Sequence, residues 1–227
     1  MIRFSCDQGA SRHHILQRLF SLLLPRDHIE VLEIGSYVGQ SALMWSGLIA
    51  THCPAGGGVL CVDPWRPYIT PEDVGAGSIY GVMDAALRDG SAFEEFKHHA
   101  AGADPRAPVS YLRGTLREVV PTIVGRLFDL VYIDGSHYYD AVREDLLAAQ
   151  VFVRDGGLLC GDDLEKQLSA ENTVEWCREN RNRDYVDLCH PGVTLAVGEI
   201  FGRVWAENGI WGIRRRTVGF ENLETVP

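Results

Sequence analysis

Apolar residues recur along the chain at two spacings, and each spacing predicts a different element. Short continuous runs rich in Val, Ile and Leu are typical of buried strands, whereas apolar positions three or four residues apart indicate helices. The pattern predicts strands over 30–34, 59–63, 109–112, 128–134, 157–161, 185–189 and 210–215. It predicts helices over 11–24, 39–51, 81–101, 116–124, 138–153 and 170–180.

This alternation of strands and helices predicts an α/β fold class. We expect a Rossmann-like, doubly wound, mostly parallel sheet of seven strands with helices on both faces. The chain is expected to form a single domain over 1–227, with an N-terminal helical segment over 1–28. Residues 64–80 are rich in proline and glycine and predict a long loop, which with the following helix makes a lid-like insertion over 64–100.

Composition narrows the class of partner. The 227 residues carry a net charge of -10, which disfavours a nucleic acid or an anionic membrane as partner. No apolar run approaches the ~18 residues that a membrane span requires. The six cysteines form no Cys-x-x-Cys pair, so we expect reduced thiols in a cytoplasmic protein. The apolar positions over 15–24 would suit a homo-oligomer interface.

Two glycines and two acids around the first two strands predict a pocket for a nucleoside-like cofactor. Gly35 directly follows the first strand and permits a tight turn, and Gly39 opens the next helix. Glu33 is a carboxylate in an apolar strand, and such a placement needs a partner. Asp63 ends the second strand, where an acid can accept both ribose hydroxyls. The Gly-x-Gly-x-x-Gly fingerprint is absent, which disfavours NAD; a plain strand–helix turn is the alternative.

Three carboxylates close two later strands. Asp134 ends the fourth strand, and Asp162 and Asp163 follow the fifth. Because neighbouring parallel strands end at the same edge, we expect the three side chains to converge, and like charges there repel unless a cation lies among them. Oxygen ligands favour Mg²⁺, Mn²⁺ or Ca²⁺. One structural acid with two solvated turn acids is the alternative.

A histidine follows the first of these acids. His137 lies three residues after Asp134, at the start of a predicted helix. A neutral imidazole at this place would suit a general base that takes a hydroxyl proton. A local hydrogen bond to the backbone is the alternative. We also expect His190, in a predicted loop, near the acceptor, and Trp65 either to cover the cofactor or to pack.

The segment 33–39 resembles motif I of class I S-adenosylmethionine-dependent methyltransferases, in the Gly-x-x-x-Gly form of the catechol O-methyltransferase-like group. The resemblance covers roughly residues 28–165. It implies that the donor is S-adenosylmethionine and that the segment at Gly114 and Thr115 lies against its adenine. The cofactor-binding residues that it implies are Glu33, Gly35, Ser36, Gly39, Asp63, Gly114 and Thr115.

The acid trio extends the resemblance to the metal-dependent members of this group. Asp134, Asp162 and Asp163 are similar to the metal site of catechol O-methyltransferases and of macrolide sugar O-methyltransferases, and His137 in place of a lysine favours the sugar type. The resemblance implies metal-dependent O-methylation of a small hydroxylated molecule, a sugar or glycosylated natural product, with Asp134 and His137 in catalysis. A catechol- or phenol-type enzyme stays open, as does a non-catalytic partner subunit of an antibiotic pathway.

Overall fold

One sheet forms the centre of the molecule. The computed structural model describes residues 7–73, 79–168 and 171–227. Cys6 lies outside these ranges, and the other cysteines are free and buried, as expected for reduced thiols. The described strands are β1 (Ile29–Ile34), β2 (Gly57–Asp63), β3 (Val109–Arg113), β4 (Phe128–Ile133), β5 (Val153–Leu164), β6 (Trp205–Glu207), β7 (Gly209–Arg215) and β8 (Phe220–Asn222).

Helices cover both faces of this sheet. No helix within the described ranges is long and apolar enough to cross a membrane. The helices are α1 (Asp7–Ser21), α2 (Gln40–His52), α3 (Ile79–Asp89), α4 (Ser91–Ala101), α5 (Leu116–Ile123), α6 (Tyr139–Ala149), α7 (Glu171–Asn180) and α8 (Pro191–Phe201).

The strand order is β3-β2-β1-β4-β5-β7-β6, and β8 pairs with β7 off this path. The first five strands are parallel, whereas β7 runs antiparallel to β5. The predicted doubly wound, mostly parallel sheet is therefore confirmed; its path has seven strands, and the three-residue β8 is an addition. The order reverses between β1 and β4, and the crevice beyond their carboxyl ends is where such sheets bind ligands.

Two apolar layers hold the helices on the sheet. Successive strand residues point to opposite faces, so Val31 joins the layer under α1, α2 and α4, and Leu32 joins the layer under α5, α6 and α8. The apolar side of α1, including Leu19 and Phe20, is buried in the first layer. The expectation that this side is exposed is therefore wrong, because the chain's own core uses it, and homo-oligomer formation stays a prediction.

Two predicted elements differ in type. The strand over 185–189 is wrong, since Val186 and Cys189 donate backbone hydrogen bonds to each other across a turn (2.9 and 3.0 Å). Asp187 and Leu188 have positive φ there, so no extended segment is left to pair with the sheet. The loop expected after His190 is helix α8, whose first position is Pro191, where the fixed φ of proline suits a helix.

Other boundaries shift. The helix over 81–101 is two helices, because Gly90 has a left-handed φ of +80° that a right-handed helix cannot continue. Phe96 of α4 is buried in the core, so part of the lid-like insertion packs as an ordinary covering helix. The helix over 138–153 ends at Ala149 and continues as a short 3₁₀ turn over Gln150–Phe152.

Strand β5 is longer than predicted, and this changes where two acids lie. Asp162 and Asp163 belong to the strand rather than to a turn beyond it. The pairing of β5 with β7 shifts register between Gly161 and Leu164, and Asp163 has a φ of +67°. Such bulges re-aim side chains beside active sites, and this one directs the acid pair toward the crevice.

Candidate functional site

A small cavity lies where the carboxyl ends of β4 and β5 meet. Its volume is about 10 Å³, which is room for one water molecule or ion. The structure thus brings together all three of the predicted carboxylates and the predicted histidine. Apolar side chains make up much of its lining, and the polar residues among them are Asp134, Ser136, His137, Asp162 and Asp163.

The turn after β1 touches this cavity through its backbone. Gly35 has a φ of +83°, and a Cβ atom there would lie 2.1 Å from the carbonyl oxygen of Asp134. Only glycine fits so close an approach. Gly39 also has a φ of +83°, and a Cβ atom there would lie 2.9 Å from Cδ2 of Phe96. The predicted cofactor turn and the acid cavity are therefore direct neighbours.

Asp63 shapes this turn. Its Oδ2 atom accepts hydrogen bonds from the backbone N–H groups of Ser36 and Tyr37 (2.9 Å each), and its Oδ1 atom accepts one from Trp65 (2.5 Å). Burial raises the pKa of Asp63, and the three hydrogen bonds oppose that shift. About one of the four lone-pair positions is left for a ligand, so Asp63 has room for one ribose hydroxyl rather than the expected two.

Glu33 is a fully buried acid with an unsatisfied oxygen. Its Oε2 atom and the hydroxyl of Ser36 make no hydrogen bond of ordinary geometry within the described ranges. Burial raises the pKa of Glu33 to about 8, although nearby Ser36, Ser41 and Trp45 lower it. Buried polar atoms normally have partners, so these two atoms fit polar groups of a bound ligand.

The adenine-side residues are already engaged within the protein. The hydroxyl of Thr115 caps α5 by accepting from the N–H of Glu118 (3.3 Å), and the Thr115 N–H donates to the Glu118 carboxylate (2.8 Å). The N–H of Gly114 donates to the Asp63 carbonyl (3.0 Å). Contact of Gly114 and Thr115 with adenine therefore stays a prediction. It would be a van der Waals contact, because the polar groups of these residues are already hydrogen-bonded.

Trp65 packs rather than covering an open pocket. Its side chain is 2% exposed, and its ring centroid lies 4.8 Å from that of Phe93 and 4.6 Å from that of Phe96. The indole N–H donates to the Tyr37 carbonyl (2.7 Å). Of the two alternatives for Trp65, the structure favours packing beneath the cofactor turn.

An arginine that the motifs did not reveal neutralises part of the acid pair. Nη1 of Arg12 donates to Oδ1 of Asp162 and to Oδ1 of Asp163 (3.1 Å), and Nη2 lies 3.8 Å from the Glu165 carboxylate. Even so, burial together with Asp163 and Asp134 raises the pKa of Asp162 well above its ordinary value. Arg12 belongs to α1 and stands alone in the sequence, so no local signal links it to the acids.

Asp134 is the third acid of the cavity. Its Oδ2 atom accepts a hydrogen bond from the Tyr132 hydroxyl (3.1 Å). Burial and the charge of Asp163 raise the pKa of Asp134 to about 6, against the opposing effect of His137. Burial and the neighbouring carboxylate therefore both favour the protonated form of Asp134, whereas His137, His190 and Arg12 lower the pKa of Asp163.

His137 lies between two carboxylates. Its Nε2 atom is 3.0 Å from Oδ2 of Asp163, and its Nδ1 atom is 3.0 Å from Oδ1 of Asp184. Burial disfavours the imidazolium, but the two carboxylates outweigh it and raise the pKa of His137 well above its ordinary value. The two carboxylates therefore favour the imidazolium over the neutral ring that the sequence led us to expect.

Asp184 is a site residue that sequence reasoning missed. It is fully buried, and its Oδ2 atom has no hydrogen-bond partner within the described residues. Its backbone N–H donates to Oδ2 of Asp73 (3.2 Å), which fixes the segment against the loop after β2. The surrounding polar sequence carries no motif, so only the fold reveals that this acid reaches His137.

His190 completes the cluster. Its Nδ1 atom lies 3.1 Å from the Glu165 carboxylate and 3.5 Å from Oδ1 of Asp163, and its ring centroid is 4.4 Å from that of His137. His137, Asp163 and His190 offer ligand atoms close enough together to share a metal ion. The predicted closeness of His190 to this end of the sheet is thus observed, although its contact with an acceptor stays a prediction.

Known methyltransferases resemble this chain in sequence and in fold. Residues 32–164 match the family described as "Methyltransferase domain". No curated protein sequence matches the chain. The fold is similar to that of CalS11, described as a TDP-rhamnose 3'-O-methyltransferase of calicheamicin biosynthesis, at 16% identity over 91% of this chain and 80% of that chain, with a TM-score of 0.52. The O-methyltransferase NovP is similar at 17% identity over 92% and 80%, with a TM-score of 0.56.

A third solved structure, an O-methyltransferase family protein from Burkholderia thailandensis, is similar at 15% identity over 93% of this chain and 57% of that chain, with a TM-score of 0.52. At these identities the likeness is one of fold. The family match covers more than half of the chain and includes the turn at Gly35 and all three acids. The chain therefore belongs to the methyltransferase-domain family, and the prediction of a class I methyltransferase enzyme is confirmed.

Proposed function

We propose that this protein transfers the methyl group of S-adenosylmethionine to a hydroxyl oxygen of a small molecule, with a divalent metal ion at its acid cavity. The observation that carries the proposal is the backbone contact between Gly35 and Asp134, since a Cβ atom on Gly35 would lie 2.1 Å from the Asp134 carbonyl oxygen. A donor bound at the first turn and an acceptor oxygen bound at the acids would therefore be adjacent, as direct transfer requires.

The cofactor end offers atoms suited to S-adenosylmethionine, which carries an activated methyl group on its sulfonium. Glu33 Oε2 and Ser36 Oγ are buried and unsatisfied within the described ranges, so they would bind polar groups of the donor. Asp63 would hold the turn in shape and accept one ribose hydroxyl. Gly114 and Thr115 would contact the adenine, and Gly35 and Gly39 would let the backbone approach.

The donor set of the cavity fits a hard divalent ion such as Mg²⁺, Mn²⁺ or Ca²⁺. Asp134, Asp162 and Asp163 present carboxylate oxygens only, and burial together with the neighbouring acids raises the pKa of Asp134 and Asp162. Such an ion would bind the acceptor hydroxyl and lower its pKa. Asp134 would thereby be both a metal ligand and a catalytic residue.

His137 would take the hydroxyl proton, and Asp184 would position it. The bond from Nδ1 of His137 to Asp184 fixes the ring so that Nε2 faces the cavity. In the present arrangement Nε2 pairs with Asp163, which keeps it protonated. For His137 to act as a base, Nε2 must release that proton and exchange Asp163 for the acceptor hydroxyl.

A sugar or glycosylated natural product is the acceptor that we favour. CalS11, by its description, methylates a TDP-linked rhamnose. Beside the acid pair lies an open pocket of about 540 Å³, whose polar lining suits a hydroxylated ring better than a flat catechol. Its polar and aromatic lining includes Arg12, Glu165, Gln167, Trp205, Asn208 and Asn222.

The experiment is a calorimetric titration of S-adenosylmethionine, with magnesium and after chelation, followed by transfer assays on nucleotide sugars, glycosides and catechols. We expect micromolar donor binding and methyl transfer that excess chelator abolishes. Asp162→Asn should lose transfer but bind the donor, whereas Asp155→Asn, an exposed acid at the other end of β5, should keep both.

Each contrary outcome rejects a distinct part of the proposal. Full transfer in excess chelator would reject the metal, and transfer to catechols alone would favour the phenol-type enzyme. Donor binding without transfer to any acceptor, together with a persistent complex with a second protein, would favour the non-catalytic subunit. Absence of donor binding would reject the proposed function as a whole.

A further inference from the structure

The guanidinium of Arg12 lies in a space shaped for it. Arg12 contacts Asp162 and Asp163 through Nη1, and its side chain is only 27% exposed. Gly209, at the start of β7, leaves this space open: a Cβ atom there would lie 3.2 Å from Cζ of Arg12 and 3.3 Å from Oδ1 of Asp162. Gly209 has a φ of +89°, so the backbone itself keeps a side chain away from the guanidinium.

Arg12 and a divalent ion would both bind the carboxylates of Asp162 and Asp163. Arg12 takes Oδ1 of Asp162 and Oδ1 of Asp163, which are two of the carboxylates proposed as metal ligands. A guanidinium and a divalent ion bound to the same carboxylates would repel each other strongly at that distance. Each cation at the acid pair therefore weakens the binding of the other.

We propose that Arg12 is a built-in counter-cation that competes with the divalent ion for Asp162 and Asp163. The inference rests on the proposed function, since it concerns the regulation of the same acid site. In the absence of metal, Arg12 neutralises the pair; metal binds when the side chain withdraws. Because Arg12 also lines the open pocket of about 540 Å³ next to the acids, the side chain has room to swing aside without displacement of α1.

This competition would connect the acceptor pocket to the metal site. Arg12 borders both, and Glu165, which lies 3.8 Å from its Nη2, lines the same pocket. A withdrawn Arg12 would carry its positive charge to the acceptor pocket. One movement of Arg12 would therefore free Asp162 and Asp163 for the divalent ion. The same movement would place the guanidinium where it can contact an acceptor.

The test is a calorimetric titration of MnCl₂ into the full chain, as wild type, Arg12→Gln and Arg18→Gln. Arg18 is the matched control, because it lies on the same helix and pairs with Glu207 instead of the acid pair. We expect Arg12→Gln to bind Mn²⁺ about ten-fold more tightly than wild type, within the usual range of coupling between sites. Arg18→Gln should bind within about two-fold of wild type.

An unchanged or weaker affinity in Arg12→Gln would overturn the inference, since Arg12 would then support the metal site rather than compete. Absence of Mn²⁺ binding in all three proteins would overturn it as well. If Arg12→Gln fails to fold without metal, Arg12→Lys replaces it, and we expect an affinity between those of wild type and Arg12→Gln, because a lysine lacks the fork that spans both acids. The donor titration and transfer assay decide the methyltransferase proposal separately.

Discussion

At the scale of single residues, the setting of His137 decides what its ring can do. Its two nitrogens face Asp163 and Asp184 at 3.0 Å each, so the imidazolium is favoured and the orientation of the ring is fixed. A buried carboxylate on the far nitrogen of a catalytic histidine selects the tautomer in well-known hydrolases. The same physical logic applies here to a proton taken from a hydroxyl.

Asp184→Asn tests this role. The substitution removes the charge that holds Nδ1, so we expect kcat for methyl transfer to fall about 100-fold or more, within the range for general base catalysis, with KM for S-adenosylmethionine unchanged. Steady-state kinetics with the acceptor that the transfer assays identify measure both constants. Asp140→Asn, at an exposed acid near the start of α6, is the control and should leave kcat unchanged. A parallel rise in KM for the donor would indicate a structural role for Asp184 instead.

Glu33→Gln tests the buried acid through pH. Burial raises the pKa of Glu33 from 4.5 to about 8, so the folded protein holds this proton where the unfolded chain has lost it. The stabilisation is complete below about pH 4.5 and is lost as the pH rises toward about 8. Glutamine stays neutral, so the Tm of the variant should rise relative to wild type between about pH 5 and about pH 9.

The control for this measurement is Glu30→Gln on the same strand, whose carboxylate pairs with His28 and Arg126 at the surface. Its Tm difference from wild type should vary little over that range. A constant Tm difference for Glu33→Gln would contradict a raised pKa. We also expect about ten-fold weaker donor binding in Glu33→Gln, because a buried ligand group that loses its hydrogen-bond partner costs about 1–3 kcal/mol.

Sequence reasoning found the residues that follow strands and missed those that do not. Glu33, Asp63 and the acid trio were predictable, because a charge at the end of an apolar run is visible in one sequence. Arg12 and Asp184 were not, since each is an ordinary charged residue whose partner lies on a distant element. Only the packing of α1 and the turn before α8 brings them to the cavity.

At the scale of elements, one acid ties three segments over the site. Asp73, in the loop after β2, accepts hydrogen bonds from Arg183 Nε (2.9 Å), the Tyr138 hydroxyl (3.0 Å) and the Thr70 hydroxyl (2.9 Å). Burial opposes ionisation, but these bonds outweigh it and lower the pKa of Asp73. The loop is thereby fastened to the segment that carries Asp184.

Arg183→Gln should loosen this fastening. We expect about ten-fold faster amide hydrogen exchange in residues 64–73, with a loss of stability of no more than about 1 kcal/mol, because Arg183 is 43% exposed and such pairs are weak. Exchange detected by mass spectrometry measures the first, and thermal unfolding the second. Arg181→Gln, at an exposed neighbouring residue, is the control. Equal amide exchange rates of residues 64–73 in the two variants would mean that the pair of Arg183 with Asp73 does not hold the loop in place.

Strands and helices could be predicted where burial produces a regular pattern of apolar residues in the sequence. Strands β1, β2, β4 and β5 lie inside the sheet and contain buried apolar runs, so their positions follow from the sequence. Strand β3 lies at the edge of the sheet and is short and partly exposed. The turn at 185–189 contains alternating polar and apolar residues and imitates a strand, while α8 begins with a proline and a glycine that indicate a loop. The secondary structure of these two segments is set by their tertiary contacts rather than by their own sequence.

At the scale of the whole molecule, α1 closes one face of the sheet and carries Arg12. Phe20 is 1% exposed, and its ring centroid lies 6.4 Å from that of Trp45 on α2. Phe20→Ala should lower the free energy of unfolding by about 3–5 kcal/mol, since the cavity left by a large aromatic collapses only in part. Urea denaturation measures this, and Val151→Ala, at a residue 68% exposed, should cost less than about 0.5 kcal/mol. A similar small loss for both would mean that α1 contributes little to the core.

The contact between Gly35 and the Asp134 carbonyl has a consequence for how the two ligands bind. Under the proposed function, the donor site and the metal site meet at this backbone contact, so we expect their binding to be linked and each ligand to change the affinity of the other by the same factor. The ratio of donor dissociation constants with and without Mg²⁺ should equal the ratio of Mg²⁺ constants with and without donor. A methyl group added at position 35 would push on both sites at once and weaken both ligands together.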